Sequence, residues 1–260
     1  MFKIASFNVN SVRSRLHILE RWLPLSSPDL LFMQETKVVN DLFPVQNFHD
    51  LGYEVYFNGE KSYNGVALAA KKILINKISN INFGFNDNLS PNFETRVMTL
   101  EFDNISILHT YVPQGKLITH PDYILKQEFL KRVKKIIEQK INDKFMWLGD
   151  LNVAPTELDV AHPETKLRSV CFAPEIRECF NAAMQGLTDL FRKFNPGREI
   201  YSFFDYRIKD ALKNNTGWRV DNILASPKLA ELAANSFIDQ EPRTWEKPSD
   251  HTPLIAEFNF

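Results

Sequence analysis

Cysteine is nearly missing from this chain, with only Cys171 and Cys179 among 260 residues. The pair is too small and wrongly spaced for a structural zinc site and argues against a disulfide scaffold, so both read as packing thiols. Net charge is nearly missing too: 31 Lys+Arg against 32 Asp+Glu leave -1 at pH 7. No global excess of one sign advertises a polyanionic partner, although a local basic groove can hide in such a sum when an acidic site offsets it. No apolar stretch is long enough to span a bilayer, and Met1-Phe2-Lys3-Ile4 passes straight into a strand pattern. The expectation is a cytoplasmic protein with no membrane association. Repeats, linkers and low-complexity tracts are absent as well, which favours one domain over residues 1–260 rather than two small ones.

What is present suits a large core, since 44% of residues are hydrophobic and 24% charged. Short β-like runs cover residues 3–9, 29–33, 53–58, 65–70, 96–102, 105–111, 144–148, 218–225 and 253–258. Two helices are expected. Over 12–23, Val12, Leu16, Leu19 and Leu23 recur at helical spacing; over 121–140, Leu125, Phe129, Val133, Ile136 and Ile137 form an apolar stripe. Lys126, Lys131, Arg132, Lys134 and Lys135 are placed mostly on the other faces of that helix, and Pro121 suits its first turn. His49 is expected in a loop. Many strands with helices between them, but no regular βαβ rhythm, predict an α/β fold of two packed sheets with helices outside.

The chemistry concentrates at strand ends. Gln34-Glu35-Thr36, Gly149-Asp150-Leu151-Asn152 and Ser249-Asp250-His251 each set an acid or amide beside a small or turn-forming residue. Asn8 and Asp221 follow or close further β-like runs. Carboxylates repel one another, so gathering them is costly unless a hard cation neutralises them. Magnesium prefers oxygen ligands and binds through one or two carboxylates, waters and substrate phosphate, which points to chemistry on phosphate esters.

Six strings in order carry a resemblance: Ser6–Arg13, Phe32–Lys37, His109–Gly115, Trp147–Ala154, Gly217–Ser226 and Ser249–Pro253. Together they resemble the exonuclease III family of apurinic/apyrimidinic endonucleases, within the endonuclease/exonuclease/phosphatase superfamily. The resemblance spans essentially the whole chain. It implies a four-layer α/β sandwich of two packed mixed β-sheets flanked by helices, with the site built from loops at one end.

Each residue has a plainer reading beside the one the resemblance implies. Glu35 reads as a solvated strand-end acid or as the principal magnesium ligand, with manganese as the alternative ion. Asn8 reads as a helix cap or as a polar neighbour of the metal. Asp150 and Asn152 read as turn formers, or as the residues that handle the attacking water and bind a phosphate oxygen; their spacing puts both on one face of an extended segment. The resemblance pairs His251 with Asp221, makes Asp250 a metal-associated acid and brings Tyr111 to the scissile phosphate. His17, His49, His109, His120 and His162 read as structural or surface residues. Phe203, Trp218 and Val220 would line a slot for a flipped, baseless sugar, although core packing is the blander reading. Arg96, Lys116 and Arg207 are candidate phosphate-backbone contacts, each balanced against a solvated charge, and Gln114 is a further candidate phosphate or DNA contact. Residues 155–174 form another stretch where DNA contacts are expected.

The implied reaction is magnesium-dependent hydrolysis of a phosphodiester in double-stranded DNA, 5′ of an abasic site or at 3′ ends, by a monomer that needs no protein partner. A superfamily phosphatase or ribonuclease acting on another phosphoester is the alternative. A binding module without catalysis is disfavoured, because Glu35, Asp150, Asn152, Asp221 and His251 are all present.

Overall fold

Several strand segments are apolar at consecutive rather than alternate positions, and such strands must be covered on both faces. A computed structural model describes residues 1–197 and 199–260 and shows how the cover is provided. In chain order the first half contains β1 (Phe2–Asn8), α1 (Leu16–Ser26), β2 (Leu30–Gln34), α2 (Val45–Asp50), β3 (Tyr53–Glu60), β4 (Tyr63–Lys71), β5 (Ile78–Phe83), β6 (Val97–Phe102) and β7 (Ile105–Tyr111). The second half contains α3 (Pro121–Lys140), β8 (Lys144–Asp150), α4 (Pro174–Ala183), β9 (Thr188–Asp189), α5 (Leu190–Phe194), β10 (Asp221–Ala225), α6 (Pro227–Ala230), β11 (Ala233–Ile238) and β12 (Leu254–Phe258).

The strands form two six-stranded mixed sheets, ordered β11-β12-β1-β2-β4-β3 and β5-β6-β7-β8-β10-β9. Each sheet holds a parallel pair joined by a helix: β1 and β2 through α1, β7 and β8 through α3. Ile4, Phe32, Leu68, Ile107, Leu148 and Ile223 meet between the sheets. The opposite faces pack outward, Ala5 and Phe7 against Leu19 and Trp22 of α1, and Phe145 and Trp147 against Phe129 of α3 and Phe180 of α4. Helix, sheet, sheet and helix therefore make the four layers, and each pair of layers shares an apolar seam. A polar contact crosses the inner seam: Gln34 on β2 lies 2.7 Å from the His109 ring on β7. Burial pushes His109 down to about 3, so the ring stays neutral in the core. Among the described residues, no helix is long and apolar enough to cross a membrane.

The sequence expectations and the structure differ in instructive places. Helix α3 begins at Pro121 as expected, with His120 accepting from the Asp122 N–H as its cap. Helix α1 starts at Leu16 rather than at residue 12, because Asn10 and Ser11 take positive φ (44° and 87°) and hold the chain in a turn. His49 lies in α2, not in a loop. Residue 218 forms only isolated bridges, to Val160 and Phe203, and the strand begins at Asp221. Strands β5, β9 and β11 lack the apolar signature because they are edge or near-edge strands with Asn, Ser and Thr facing water. Lys126 and Arg132 of α3 are buried rather than placed on its outer face.

Gly149 is the tightest position on β8. Its φ is +138°, and an added Cβ would lie 1.9 Å from the Thr110 carbonyl oxygen on β7. Neither strand can retreat without breaking the register that sets Tyr111 beside Asp150. Gly149→Ala is expected to destabilise the protein by about 3 kcal/mol or more, through overpacking and strain together. Urea unfolding of the two proteins checks it; a midpoint within error of the unaltered protein would show that the strands can part.

Candidate active site

Parallel pairing brings the ends of β1, β2, β7 and β8 to one edge of the sandwich, carrying Asn8, Gln34, Tyr111 and Asp150. Asp221 opens β10 directly across from Asp150. His251 precedes β12, held by its own N–H donating to Ser249 Oγ, while the Ser249 hydroxyl donates to the Asn8 carbonyl. The chain turns sharply just beyond two of these strands. Glu35 and Asn152 both have positive φ, +52° and +50°. Non-glycine residues enter that region rarely, and they stay there only where the surroundings over-determine it. Here the Ser11 N–H donates to the Glu35 carbonyl at 2.7 Å, and the Lys126 ammonium donates to the Asn152 carbonyl at 2.7 Å.

Asn8 ties the acids together. Its amide nitrogen donates to Glu35 Oε1 at 2.7 Å and to Asp150 Oδ2 at 2.8 Å, while its oxygen accepts from the Asn10 N–H. Glu35 Oε2 pairs with the Lys37 ammonium at 2.6 Å, and Lys37 also donates to Asn10. Burial alone would raise the Glu35 pKa, but Lys37 and Asn8 outweigh it and hold the carboxyl below its ordinary range. Burial pushes Asp150 the other way, up to about 7, and the nearby Asp221 and Glu35 charges reinforce the rise. Burial likewise raises the Tyr111 phenol, with Glu35 and Asp150 adding to it, so the hydroxyl keeps its proton.

His251 lies between two carboxylates. Its Nδ1 is 2.8 Å from Asp221 Oδ2 and its Nε2 is 3.7 Å from Asp150 Oδ2. Ser202 donates to the same Asp221 oxygen at 2.6 Å, which fixes the acid in place. Burial favours the neutral ring, but Asp221 and Asp150 win and raise His251 to about 10. The site therefore holds an imidazolium at neutral pH.

Glu35, Asp150 and His251 each offer one ligand atom within 4.8 Å of the others. His251 is protonated and engaged with Asp221, which leaves the carboxylate oxygens as the donors. An all-oxygen set suits a hard cation such as magnesium or manganese. Asp250 stands beside this cluster, its Oδ1 accepting from the Asn10 amide at 2.9 Å.

A cavity of about 190 Å³ opens against His251 and Asn152, walled by Phe203, Trp218, Val220 and Val170. The Phe203 ring centre lies 4.9 Å from the His251 ring. Phe203 and Trp218 exchange backbone hydrogen bonds at 2.8 and 2.9 Å, so the two aromatic walls move as one. Between Trp218 and Val220, Arg219 turns away into the protein and bonds Asp159, Asn222 and Asp189. Gln114 and Arg207 also line the cavity, Arg207 being exposed and paired with Asp205. Arg96 does not line it; its guanidinium stacks over the Tyr111 ring at 4.5 Å and donates to the Tyr111 carbonyl. From residues 155–174, Ser169, Val170 and Cys171 reach the cavity.

Sequence reasoning did not single out Asn10, Lys37, Ser202, Ser249 or Lys126. The last carried a readable signal. Lys126 sits three, four and seven residues before Phe129, Leu130 and Val133, which puts it on the buried face of α3.

Comparison with known proteins agrees with this fold. The model of the "Endonuclease/Exonuclease/phosphatase family" matches residues 5–251. A curated relative, "Exodeoxyribonuclease III" of Haemophilus influenzae, is 35% identical over 98% of this chain and 99% of its own. A "DNA-(apurinic or apyrimidinic site) endonuclease" of Dictyostelium discoideum is 34% identical over 97% of this chain and 69% of its own. Among solved structures, an AP endonuclease from Archaeoglobus fulgidus superposes with a TM-score of 0.95 at 42% identity, covering all of both chains. A 3′ phosphatase from Neisseria bound to a product DNA hairpin superposes with a TM-score of 0.92 at 30% identity, also over both full chains.

The charge on His251 has a measurable signature. A histidine whose folded pKa is raised contributes stability that is fully present below its unfolded value near 6.5 and is lost as pH rises through about 10. In Asp221→Asn the main carboxylate partner is gone, so the same loss should move down toward neutrality. NMR titration of the His251 ring, with urea midpoints between about pH 6 and 10.5, tests this. A ring that titrates near its ordinary value in the unaltered protein would refute the imidazolium.

Proposed function

This chain belongs to the Endonuclease/Exonuclease/phosphatase family, and on that basis we propose that it is a magnesium-dependent DNA repair nuclease that incises 5′ of abasic sites. The same site would remove 3′-blocking groups or 3′-terminal nucleotides from duplex DNA. A single observation carries the reading: His251, clustered with Glu35 and Asp150, also lines a cavity walled by Phe203, Trp218 and Val220. Relatives named as an exodeoxyribonuclease III and as AP endonucleases support it. We read residues 1–260 as one catalytic domain, since the site draws Asn8 and His251 from the two ends of the chain, and propose that it acts as a monomer in the cytoplasm.

Glu35 and Asp150 would hold the metal, with Asn8 bonding both acids and Asn10 linking Asn8 to Asp250, the further metal-associated acid. Bound there, magnesium supplies Lewis-acid stabilisation of the charge that develops on the phosphoryl and leaving 3′ oxygens. Asp150, buried and raised toward neutrality, suits the water proton. The water oxygen attacks phosphorus in line, the P–O3′ bond breaks, the departing 3′ oxygen takes a proton from solvent, and the products are a 3′-hydroxyl and a 5′-deoxyribose phosphate. His251, kept cationic by Asp221, faces the phosphoryl oxygens as a fixed positive charge. Asn152 uses one amide hydrogen on the Val112 carbonyl and has the other to offer the phosphate. The Tyr111 hydroxyl, which keeps its proton and bonds Glu35 here, would be a further donor on turning to the phosphate.

Phe203, Trp218 and Val220 would receive the sugar after it leaves the stack, and a missing base makes that extrusion cheap. The 3′ phosphatase neighbour keeps a second activity of the same site in view, release of a terminal phosphate.

Incision of a labelled duplex with one internal abasic analogue tests the reading, run with magnesium and with EDTA. One cut 5′ of the lesion is expected with magnesium and none with EDTA. Asp150→Asn should lower the rate by about 10³-fold or more. A ladder from the 3′ end of damaged and undamaged duplex alike would make the protein an exonuclease without abasic preference. Cleavage of neither by folded protein would turn attention to other phosphoesters. Trp218→Ala should cut abasic incision about tenfold while sparing removal of 3′-terminal nucleotides, because the slot rather than the acid cluster is opened. Equal losses in both assays would argue against a dedicated sugar slot.

A further inference from the structure

Lys126 is fully buried, yet its ammonium meets no carboxylate. Its partners are three backbone carbonyls: Gln114 at 3.1 Å, Asn152 at 2.7 Å and Val170 at 2.7 Å. Three acceptors use all three hydrogens of an ammonium, whereas a neutral amine could satisfy only two. The three carbonyls belong to separate segments, those following β7 and β8 and the stretch before α4. Each of the three residues lines the cavity beside His251. The Asn152 side chain ties the same segments from the other side, its amide donating to the Val112 carbonyl and its oxygen accepting from the Cys171 thiol.

We infer that Lys126 is a positioning residue that clamps three walls of the sugar and phosphate site into one geometry. The inference rests on the nuclease reading above. Burying a charge without a counter-ion is costly unless its donors are all satisfied, so the clamp tolerates little slack. Its effect reaches Asn152 twice. The ammonium holds the Asn152 carbonyl directly and so supports the strained backbone, with φ +50°, that aims the side chain. It also holds Val170, whose neighbour Cys171 donates its thiol to Asn152 Oδ1 at 3.8 Å. With the oxygen and one amide hydrogen occupied, the remaining Asn152 N–H is left facing the cavity. The ammonium itself has no donor left for a DNA phosphate.

The test compares Lys126→Met, Lys126→Arg and the unaltered protein on the abasic duplex. Releasing the clamp should lower kcat for incision about tenfold to a hundredfold, because ångström-scale misplacement is enough. KM should change less than about threefold, since remote DNA contacts are untouched. Lys126→Arg, which keeps the charge and several donors, should recover part of the kcat. Binding to undamaged duplex should keep its salt slope, whereas loss of a direct phosphate contact would lower it by about 0.9. Amide hydrogen exchange should quicken around residues 112–115, 151–153 and 169–172 but not in β8 below Gly149. Unchanged exchange in those segments, or a reduced salt slope, overturns the assignment.

Two outcomes remain separable from the nuclease reading. If unaltered protein does not incise abasic DNA, that reading fails while the exchange data still judge the clamp. If Lys126→Met does not fold, NMR of the Lys126 ammonium in the unaltered protein decides. Protons protected from exchange, with couplings to three carbonyls, support the clamp; a rapidly exchanging ammonium overturns it.

Discussion

Three carboxylates, those of Glu35, Asp150 and Asp221, are crowded together at one end of the two sheets, and each is stabilised differently. Glu35 has Lys37, Asp221 has Ser202 and the His251 imidazolium, and Asp150 has the Asn8 amide and the far side of the His251 ring. Asn8 is the hinge of this arrangement, because one amide nitrogen serves two acids at 2.7 and 2.8 Å. A side chain that could not donate twice would leave the acids facing each other with no spacer, at the cost that buried like charges carry. Burial, with Asp221 and Glu35 nearby, drives Asp150 up, while Lys37 and Asn8 hold Glu35 down. A cation-binding centre is what such a mismatch is suited to.

The fold exists to hold those strand ends level. Two crossovers of the same kind, β1–α1–β2 and β7–α3–β8, each place a parallel pair whose ends point the same way. The sheets then pack through an apolar seam, and the Gln34–His109 contact crosses it one residue before Glu35. The acids and the aromatic walls have separate supports. The acids stand on central strands. The aromatic walls stand on loop segments that Arg219 anchors from behind through Asp159 and Asp189. A pocket built on loops can change shape without disturbing the acids.

The central strands were legible because they are apolar and bounded by turn formers, and α3 because its stripe and its Pro121 agree. Edge strands were not legible: β5 carries Ser79, Asn80 and Asn82, and it pairs through a backbone whose register no side-chain pattern announces. The acid-bearing strings were visible one by one, but nothing in spacing or composition joins Asp221 to His251 or Asn8 to Asp150. Those contacts come from strand order. The roles given to them came from family resemblance rather than from periodicity. Lys126 is the converse case, visible in the helical period but set aside because a lysine was assumed to seek water.

The near-zero net charge takes on meaning once the cations are located. Lys37, Lys126 and Arg219 are all spent on internal partners, and Arg96 lies over Tyr111 with a bond to its carbonyl. Arg207, though exposed, is tied to Asp205. These charges shape the site rather than advertise it. Long-range attraction of a polyanion therefore has little global field to draw on. On the function proposed above, recognition falls to short-range contacts, those of the cavity of about 190 Å³ and of His251 beside it.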